Sequence, residues 1–163
     1  MYPIKCRIDE YQEQWYYPTN HPKPRQILSF RMPGKNKTQA QCPCGTGSTY
    51  PECCGRYLEQ EEVPEHAEAL MRSRYTAYTL NCEDYLLATW HSDTRPAALN
   101  LTDGPQHKWL GLIIKKHEQS APDQAVVEFV ARYKIGGKAH RLHEISRFVL
   151  EEERWFYVDG DII

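Results

Sequence analysis

The sequence predicts an α+β fold in which helices pack on a four-stranded antiparallel sheet, with a cysteine-rich loop ahead of them. Three observations support this prediction. Four cysteines lie within residues 42–54, helix-like periodicity follows at 64–79 and 82–90, and from Lys108 onward the pattern is that of β-strands. A run of helices followed by a run of strands is typical of the α+β class.

The cysteine-rich loop has the spacing Cys-x-Cys, eight residues, then Cys-Cys, and it occupies residues 42–54. Cysteines this dense in a reducing compartment usually bind a metal. Zinc is the metal expected, because it favours four thiolate or imidazole ligands in a tetrahedron. One or two disulfides, or inert thiols, are the alternatives, and disulfides fit poorly because no export signal is evident.

Composition and charge narrow the function classes. The 163 residues suit one domain, or one small domain with a metal module, and the eleven tyrosines and four tryptophans predict a core rich in rings. A net charge of -2 gives no strong signal for nucleic acid or membrane binding, since only Lys35, Lys37 and Arg56 suggest a basic contact. No signal peptide or membrane span is evident, so we expect a cytoplasmic protein.

The chain divides into three predicted segments. Residues 1–37 form an irregular arm with five prolines, residues 38–60 form the cysteine module, and residues 61–163 form an α+β domain expected to have its own core. Met32 is an alternative start for the natural chain. Cys6 and Cys82 lie apart from the cysteine cluster and are each expected to be a lone thiol.

Two main helices are predicted within the α+β domain. The first opens at Pro64, and the second is capped by Asn81 with Asp84 three residues later, as in a capping box. One further helical turn is expected at 97–101. The first helix has a face that recurs at spacings of three and four residues, made by Ala67, Leu70, Met71, Arg74, Tyr75 and Tyr78.

Four strands are predicted to form a meander, and the turns between them set the register. The predicted strands are 109–116, 124–134, 139–150 and 154–159. A two-residue hairpin at Gly136-Gly137 places Tyr133 opposite His140 and Phe129 opposite Glu144. A turn at 152–153 places Trp155 opposite Leu150, Tyr157 opposite Phe148 and Asp159 opposite Ser146.

The helix-covered face of this sheet is therefore expected to gather polar groups among apolar neighbours. Glu144 and Asp159 are candidate catalytic carboxylates, and Glu144 beside hydroxyl donors has the features of a general base. The alternative is a buried network in which Glu144 pairs with Arg74 or Arg95. His91 is a further candidate base, although it follows a helix end, where a capping role is more common. The residues expected to converge are Tyr133, His140, Glu144, Ser146, Tyr157 and Asp159.

The cysteine loop resembles the SEC-C motif, a zinc module known from the tail of the protein translocase SecA. Gly45-Thr46-Gly47 stands where that motif mostly shows Gly-Ser-Gly. The resemblance implies that Cys42, Cys44, Cys53 and Cys54 bind one zinc ion, and that the module contacts a protein partner. The adjacent cysteines require a backbone turn, which a short helix predicted at 56–60 supplies. Four thiolates leave zinc no open position for water, so the metal is expected to be structural.

Four longer strings resemble the YchJ family, whose members join a SEC-C motif to a cone-shaped domain of the nuclear transport factor 2-like fold. The resemblance runs from about Gln41 to Asp161 and implies three helices cradled by a curved four-stranded sheet. Many relatives carry a second SEC-C copy at the C-terminus, whereas this chain stops at Ile163. The strings are ALMRSRY (69–75), YLLATWH (85–91), HRLHEISRFV (140–149) and RWFYVDGD (154–161).

Two functions follow as expectations. The leading one is a zinc-stabilised protein that binds a protein partner through its SEC-C-like module. The alternative is a small-molecule enzyme, isomerase-like or dehydratase-like, that uses a cone pocket around Glu144 and Asp159. The sequence does not decide between an enzyme and a binding protein. An open, ligand-sized cavity would favour the enzyme, and a filled one would favour the binding protein.

Overall fold

A computed structural model of the protein describes Cys6 and residues 40–163. The predicted α+β architecture is confirmed, with four antiparallel strands in the order β1-β2-β3-β4 behind a set of helices. Apart from Cys6, the arm predicted at 1–37 and the alternative start at Met32 lie outside the described residues. The elements are α1 (Gly55–Leu58), α2 (Ala67–Thr79), α3 (Glu83–Ala88), β1 (Lys108–Ala121), β2 (Gln124–Ile135), β3 (Lys138–Glu151) and β4 (Arg154–Ile162).

Helix α2 begins at a histidine cap rather than at the predicted Pro64. The Nδ1 atom of His66 accepts a hydrogen bond from the backbone N–H of Ala69 at 3.1 Å, and Glu68 lies in the positively polarised first turn. The predicted face is buried along the helix and includes Leu70 and Tyr75. None of the helices in the described part of the chain is long and apolar enough to cross a membrane.

Two predictions about helix boundaries are wrong. Asn81 does not cap α3: it adopts a φ of +54° just after the end of α2, a left-handed conformation that asparagine tolerates well. Residues 97–101 form no helical turn, because the Glu83 carboxylate accepts hydrogen bonds from the N–H groups of Leu99 (2.8 Å) and Leu101 (3.3 Å). These bonds hold the loop against α3 in an irregular conformation.

The hairpin between β2 and β3 matches the prediction residue for residue. Gly136 and Gly137 have φ values of +55° and +82°, as a two-residue turn of this type requires. Tyr133 lies opposite His140, and Phe129 lies opposite Glu144. The turn therefore fixes which side chains of β3 face the helices.

The predicted register between β3 and β4 is correct near the turn and wrong beyond it. Phe148 pairs with Tyr157 as expected, but a bulge then leaves Val158 without a partner residue in the ladder, so Arg147 pairs with Asp159. Since one extra residue reverses the alternation of faces, Asp159 lies on the outer face of the sheet. The prediction that Asp159 shares a face with Glu144 is therefore wrong.

One hydrophobic core extends from the cysteine loop into the sheet. Cys44 and Cys54 are fully or almost fully buried in the same cluster as Leu70, Val127 and Phe148. This differs from the expectation that the α+β domain has a core of its own. The cause is the position of α2, which packs against both the loop and the sheet.

The expectation of two lone thiols is also wrong. Cys6 and Cys82 are joined in a disulfide, with their Cα atoms 5.3 Å apart. Cys82 is the N-cap residue of α3, so the bond attaches this point of the N-terminal arm to the start of that helix.

Candidate functional site

The four clustered cysteines converge on one point. Their Sγ atoms all lie within 4.8 Å of one another. The Sγ atom of Cys53 lies 3.5 Å from that of Cys44 and 4.0 Å from that of Cys54. Zinc–sulfur bonds of about 2.3 Å in a tetrahedron give sulfur–sulfur distances of about 3.8 Å. The cluster therefore has the size of a four-thiolate metal site.

Backbone turns bring the two halves of the cluster together. Cys42 donates its N–H to the Ser48 carbonyl at 2.9 Å, which closes the first half. The Tyr50 carbonyl accepts from Cys53 and Gly55 at 3.1 and 2.8 Å, which closes the second. A Cβ at Gly55 would lie 2.8 Å from that carbonyl oxygen, so only glycine fits. Helix α1 starts there, so the adjacent cysteines reach one site as expected.

The thiols of the cluster influence one another's ionisation. A hydrogen bond with Cys42 lowers the pKa of Cys44, and the same interaction raises the pKa of Cys42 to about 11. Hydrogen bonding to Cys42 and Cys44, together with burial, raises the pKa of Cys54. The raised pKa values of Cys42 and Cys54 mean that neighbouring thiolates oppose further ionisation, so four thiolates at this spacing require a positive partner. A zinc ion meets this requirement, because its positive charge stabilises the deprotonated form of each cysteine that coordinates it.

Side chains around the cluster support it from two directions. The Thr46 hydroxyl lies 3.5 Å from the sulfur of Cys44 and 3.3 Å from that of Cys53. From α2, the Thr76 hydroxyl lies 3.8 Å from the sulfur of Cys42. Arg72, also on α2, donates from Nη1 to the Cys44 carbonyl at 3.1 Å. The cysteine loop is thus attached directly to α2.

A separate cavity of about 340 Å³ lies between α2 and the inner face of the sheet. It is lined mainly by aromatic rings, with Trp109 at the centre of one wall. The Trp109 ring centroid lies 5.4 Å from that of Tyr75, 5.9 Å from that of Tyr78 and 5.3 Å from that of Tyr133. The sequence placed Trp109 in a strand but did not predict its role in the cavity. The high content of tyrosine and tryptophan predicted an aromatic core, and nothing more specific pointed to this wall.

The Glu144 carboxylate is the acidic group of the cavity wall. Its Oε1 atom accepts hydrogen bonds from the hydroxyls of Ser146 at 2.7 Å and Tyr157 at 3.2 Å. Burial, followed by the nearby Glu144 charge, raises the pKa of Tyr157, which keeps its hydroxyl a donor. No group among residues 40–163 donates to Oε2, and that oxygen is not sealed from solvent. Glu144 lines the cavity and therefore keeps one carboxylate oxygen without a donor from residues 40–163.

Arg74 lies at the inner end of the cavity and is held by neutral groups. Its Nη1 donates to the Leu86 carbonyl at 2.7 Å and to the Thr89 hydroxyl at 2.8 Å. Its guanidinium lies over the rings of Trp90, at 5.0 Å, and Tyr157, at 4.6 Å. Burial lowers the pKa of Arg74. The side chain thereby fastens α2 to the end of α3.

The alternative in which Glu144 pairs with Arg74 or Arg95 is not observed. Among the described residues, neither arginine has a carboxylate oxygen within 4.0 Å of its nitrogens, and Arg95 is exposed. Glu144 is only partly buried, and its partners are hydroxyl groups.

The other two catalytic candidates lie outside the cavity lining. Asp159 forms an ion pair with Arg147 on the outer face. His91 Nε2 lies 3.1 Å from Glu151 Oε1, and its Nδ1 accepts from the N–H of Asp93 at 3.3 Å. Of the three predicted residues, only Glu144 lines the cavity. The sequence could not predict on which face of the sheet Asp159 lies, because no residue type in β4 indicates the bulge at Val158.

Comparison with known proteins gives consistent matches. A family model described as YchJ, middle NTF2-like domain, matches residues 66–160. The UPF0225 protein of Chromobacterium violaceum is 55% identical over 133 residues, which is 79% of this chain and 98% of that relative. A UPF0225 protein of Cupriavidus pinatubonensis is 51% identical over 142 residues, or 83% and 97% of the two chains.

Solved structures share the fold. The solution structure of a SEC-C motif containing protein from Rhodopseudomonas palustris is 32% identical with a TM-score of 0.59, covering 75% of this chain and 98% of that one. The crystal structure of a SEC-C motif containing protein from Psychrobacter arcticus is 25% identical with a TM-score of 0.60, covering 75% and 82%. With the cysteine cluster and the four-stranded cone in place, these matches show that the chain belongs to the YchJ (UPF0225) family.

Proposed function

We propose that this protein binds a small molecule in its cone cavity and that a structural zinc ion holds the walls of that cavity in place. The observation that carries the proposal is the cavity itself, whose volume of about 340 Å³ lies within the range of ligand pockets, roughly 300–1,000 Å³. It is apolar on most sides and has one fixed carboxylate, as specific ligand sites do.

The same carboxylate supports the enzyme alternative, with Glu144 alone as its base. Oε1 is fixed by two hydroxyl donors, which leaves Oε2 free to accept a proton from a bound substrate. A proton-transfer reaction of the isomerase or dehydratase type is the activity that this arrangement favours. Asp159 takes no part in it, because it lies on the other face of the sheet.

Filling the cavity tests the proposal. Indole is a suitable probe, since it is flat and apolar and matches the aromatic walls. Ala131 is buried and lines the cavity, whereas Ala139, on the neighbouring strand, is exposed. We expect indole to shift the NMR signal of the Trp109 side-chain N–H in the wild type and in Ala139→Phe, but not in Ala131→Phe. Equal shifts in all three proteins would contradict a cavity site.

We further propose that Cys42, Cys44, Cys53 and Cys54 hold one structural zinc ion. Their mutual distances and the number of thiolates support it, because they complete a tetrahedron without a water position. Metal analysis of protein purified without chelator is expected to give one zinc per chain. Cys53→Ser should lower that content, while Ser48→Ala, an exposed position of the same loop that supplies no ligand, should leave it unchanged. Protein without zinc, or loaded with another metal, would overturn the assignment.

Contact with a protein partner through the cysteine module stays a prediction from the SEC-C resemblance. The tip of the loop, residues 45–48, is exposed and offers a surface for such a contact. The cytoplasmic location also stays a prediction.

A further inference from the structure

The chemistry of the cavity wall narrows the class of ligand, and this step rests on the cavity function proposed above. Four rings surround the space on one side: Trp109 touches Tyr75, Tyr78 and Tyr133 with ring centroids 5.3 to 5.9 Å apart. Aromatic faces carry partial negative charge and attract cations that approach within about 6 Å of the centroid. The wall thus suits a flat ring and, beside it, a positive group.

The two charged groups of the lining differ in what they can offer a ligand. Arg74 is only 3% exposed, and its guanidinium already lies over the rings of Trp90 and Tyr157. Its Nη1 is engaged by the last turn of α3 through the Leu86 carbonyl. An anionic ligand would therefore meet a cation that is largely covered and already hydrogen-bonded.

Glu144 is placed in the opposite way. Both of its hydrogen bonds from residues 40–163 end on Oε1, so Oε2 remains an acceptor that a ligand can reach. A Cβ at Gly160 would collide with the Glu144 side chain, including its Cγ at 2.9 Å, so the glycine provides the space in which the carboxylate lies. The reachable charge in this aromatic cavity is negative and is held in a defined position.

We infer that the cavity takes a small, flat aromatic molecule carrying a protonated amine. Its ring lies against Trp109 and the adjacent tyrosines, and its ammonium group donates to Glu144 Oε2. A charge-assisted hydrogen bond of this kind is about twice as strong as a neutral one. Discrimination between an amine and its neutral analogue therefore depends on Glu144.

Three matched probes test the inference: tryptamine, tryptophol and indole-3-acetate share one ring system and differ in the charge of the side chain. Calorimetric titration of the zinc-loaded protein should rank tryptamine above tryptophol by about tenfold, the effect of one charge-assisted bond, and indole-3-acetate last. In Glu144→Gln, the preference for tryptamine should largely disappear, while tryptophol binds as before.

The control for this change is Glu128→Gln. Glu128 is a carboxylate on the outer face, bonded to His143 Nε2 at 2.8 Å, so its loss should leave the ranking unchanged. Binding without a preference for tryptamine, or a preference that survives in Glu144→Gln, would refute the proposal that the ligand is an amine. The proposal that the cavity binds a small molecule would still hold. Absence of binding by all three probes would overturn both.

Discussion

At the scale of single residues, one glycine decides where the Glu144 carboxylate lies. Gly160 stands opposite Ser146 on β4, and the space beside its Cα is filled by the Glu144 side chain. Any larger residue at this position forces Glu144 off its hydroxyl partners. The position of the carboxylate therefore depends on a residue two strand positions away from it and on a neighbouring strand.

This dependence predicts a specific coupling between the two residues. Gly160→Ala should destabilise the protein by about 1–2 kcal/mol, because extra atoms in a filled space displace their neighbours. In a Glu144→Ala background the same change should cost almost nothing, since the obstructing side chain is gone. Urea unfolding of the four proteins measures the coupling, and equal costs in both backgrounds would show that Gly160 does not act through Glu144.

The sequence predicted many of the residues that belong to the two sites, but it predicted their positions in space only in part. The cysteine spacing predicted that the four cysteines cluster, and the Gly-Gly turn placed Glu144 on the inner face correctly. Asp159 was placed wrongly, because an extra residue in a strand depends on how the whole strand packs. The disulfide between Cys6 and Cys82 joins residues 76 positions apart and gives no local signal.

At the scale of elements, α2 serves two sites at once. Arg72 and Thr76 contact the cysteine loop, while Arg74, Tyr75 and Tyr78 line the cavity. The 3.6-residue period of a helix makes this possible, because residues two positions apart point in different directions. The sequence predicted the buried face of α2, but it did not reveal that the adjacent side, with Arg72 and Thr76, also has a partner.

Replacing the guanidinium of Arg74 by another cationic group is predicted to destabilise the fold. Arg74→Lys keeps the charge but loses the planar group that both stacks on two rings and donates to α3. We expect a loss of about 1–3 kcal/mol in the free energy of unfolding. Arg132→Lys, an exposed position on β2, is the control and should change it by less than about 0.5 kcal/mol. Similar values for both variants would refute a fastening role for Arg74.

At the scale of the whole molecule, the cysteine cluster and the cone share one hydrophobic core. Cys42, Cys44 and Cys54 belong to the core cluster that also contains residues of α2 and of all four strands. A structural metal contributes its binding free energy to folding. We therefore expect loss of the proposed metal ion to destabilise the cone as well as the cysteine loop, although the sequence suggested two separable segments.

Removal of the proposed zinc ion is predicted to loosen the cavity as well as the loop. Treatment with a strong chelator should lower Tm by about 10 °C, the shift expected when a few kcal/mol are lost from a domain of this size. Amide NMR signals of α2 and of the start of β1 should lose protection together with those of residues 42–58. Changes confined to residues 42–58 would show that the loop and the cone are independent.

The tryptophans of the aromatic wall also allow ligand binding to be followed by intrinsic fluorescence. Two of the four tryptophans, Trp90 and Trp109, line the cavity, while Trp155 is buried elsewhere in the core at 6% exposure. A ligand that displaces water from the wall changes the emission of the first two and leaves the third as an internal reference. With Trp15 replaced by Phe, ultraviolet fluorescence alone can follow occupancy of the cavity, so extracts of unlabelled metabolites can be surveyed without a chosen substrate.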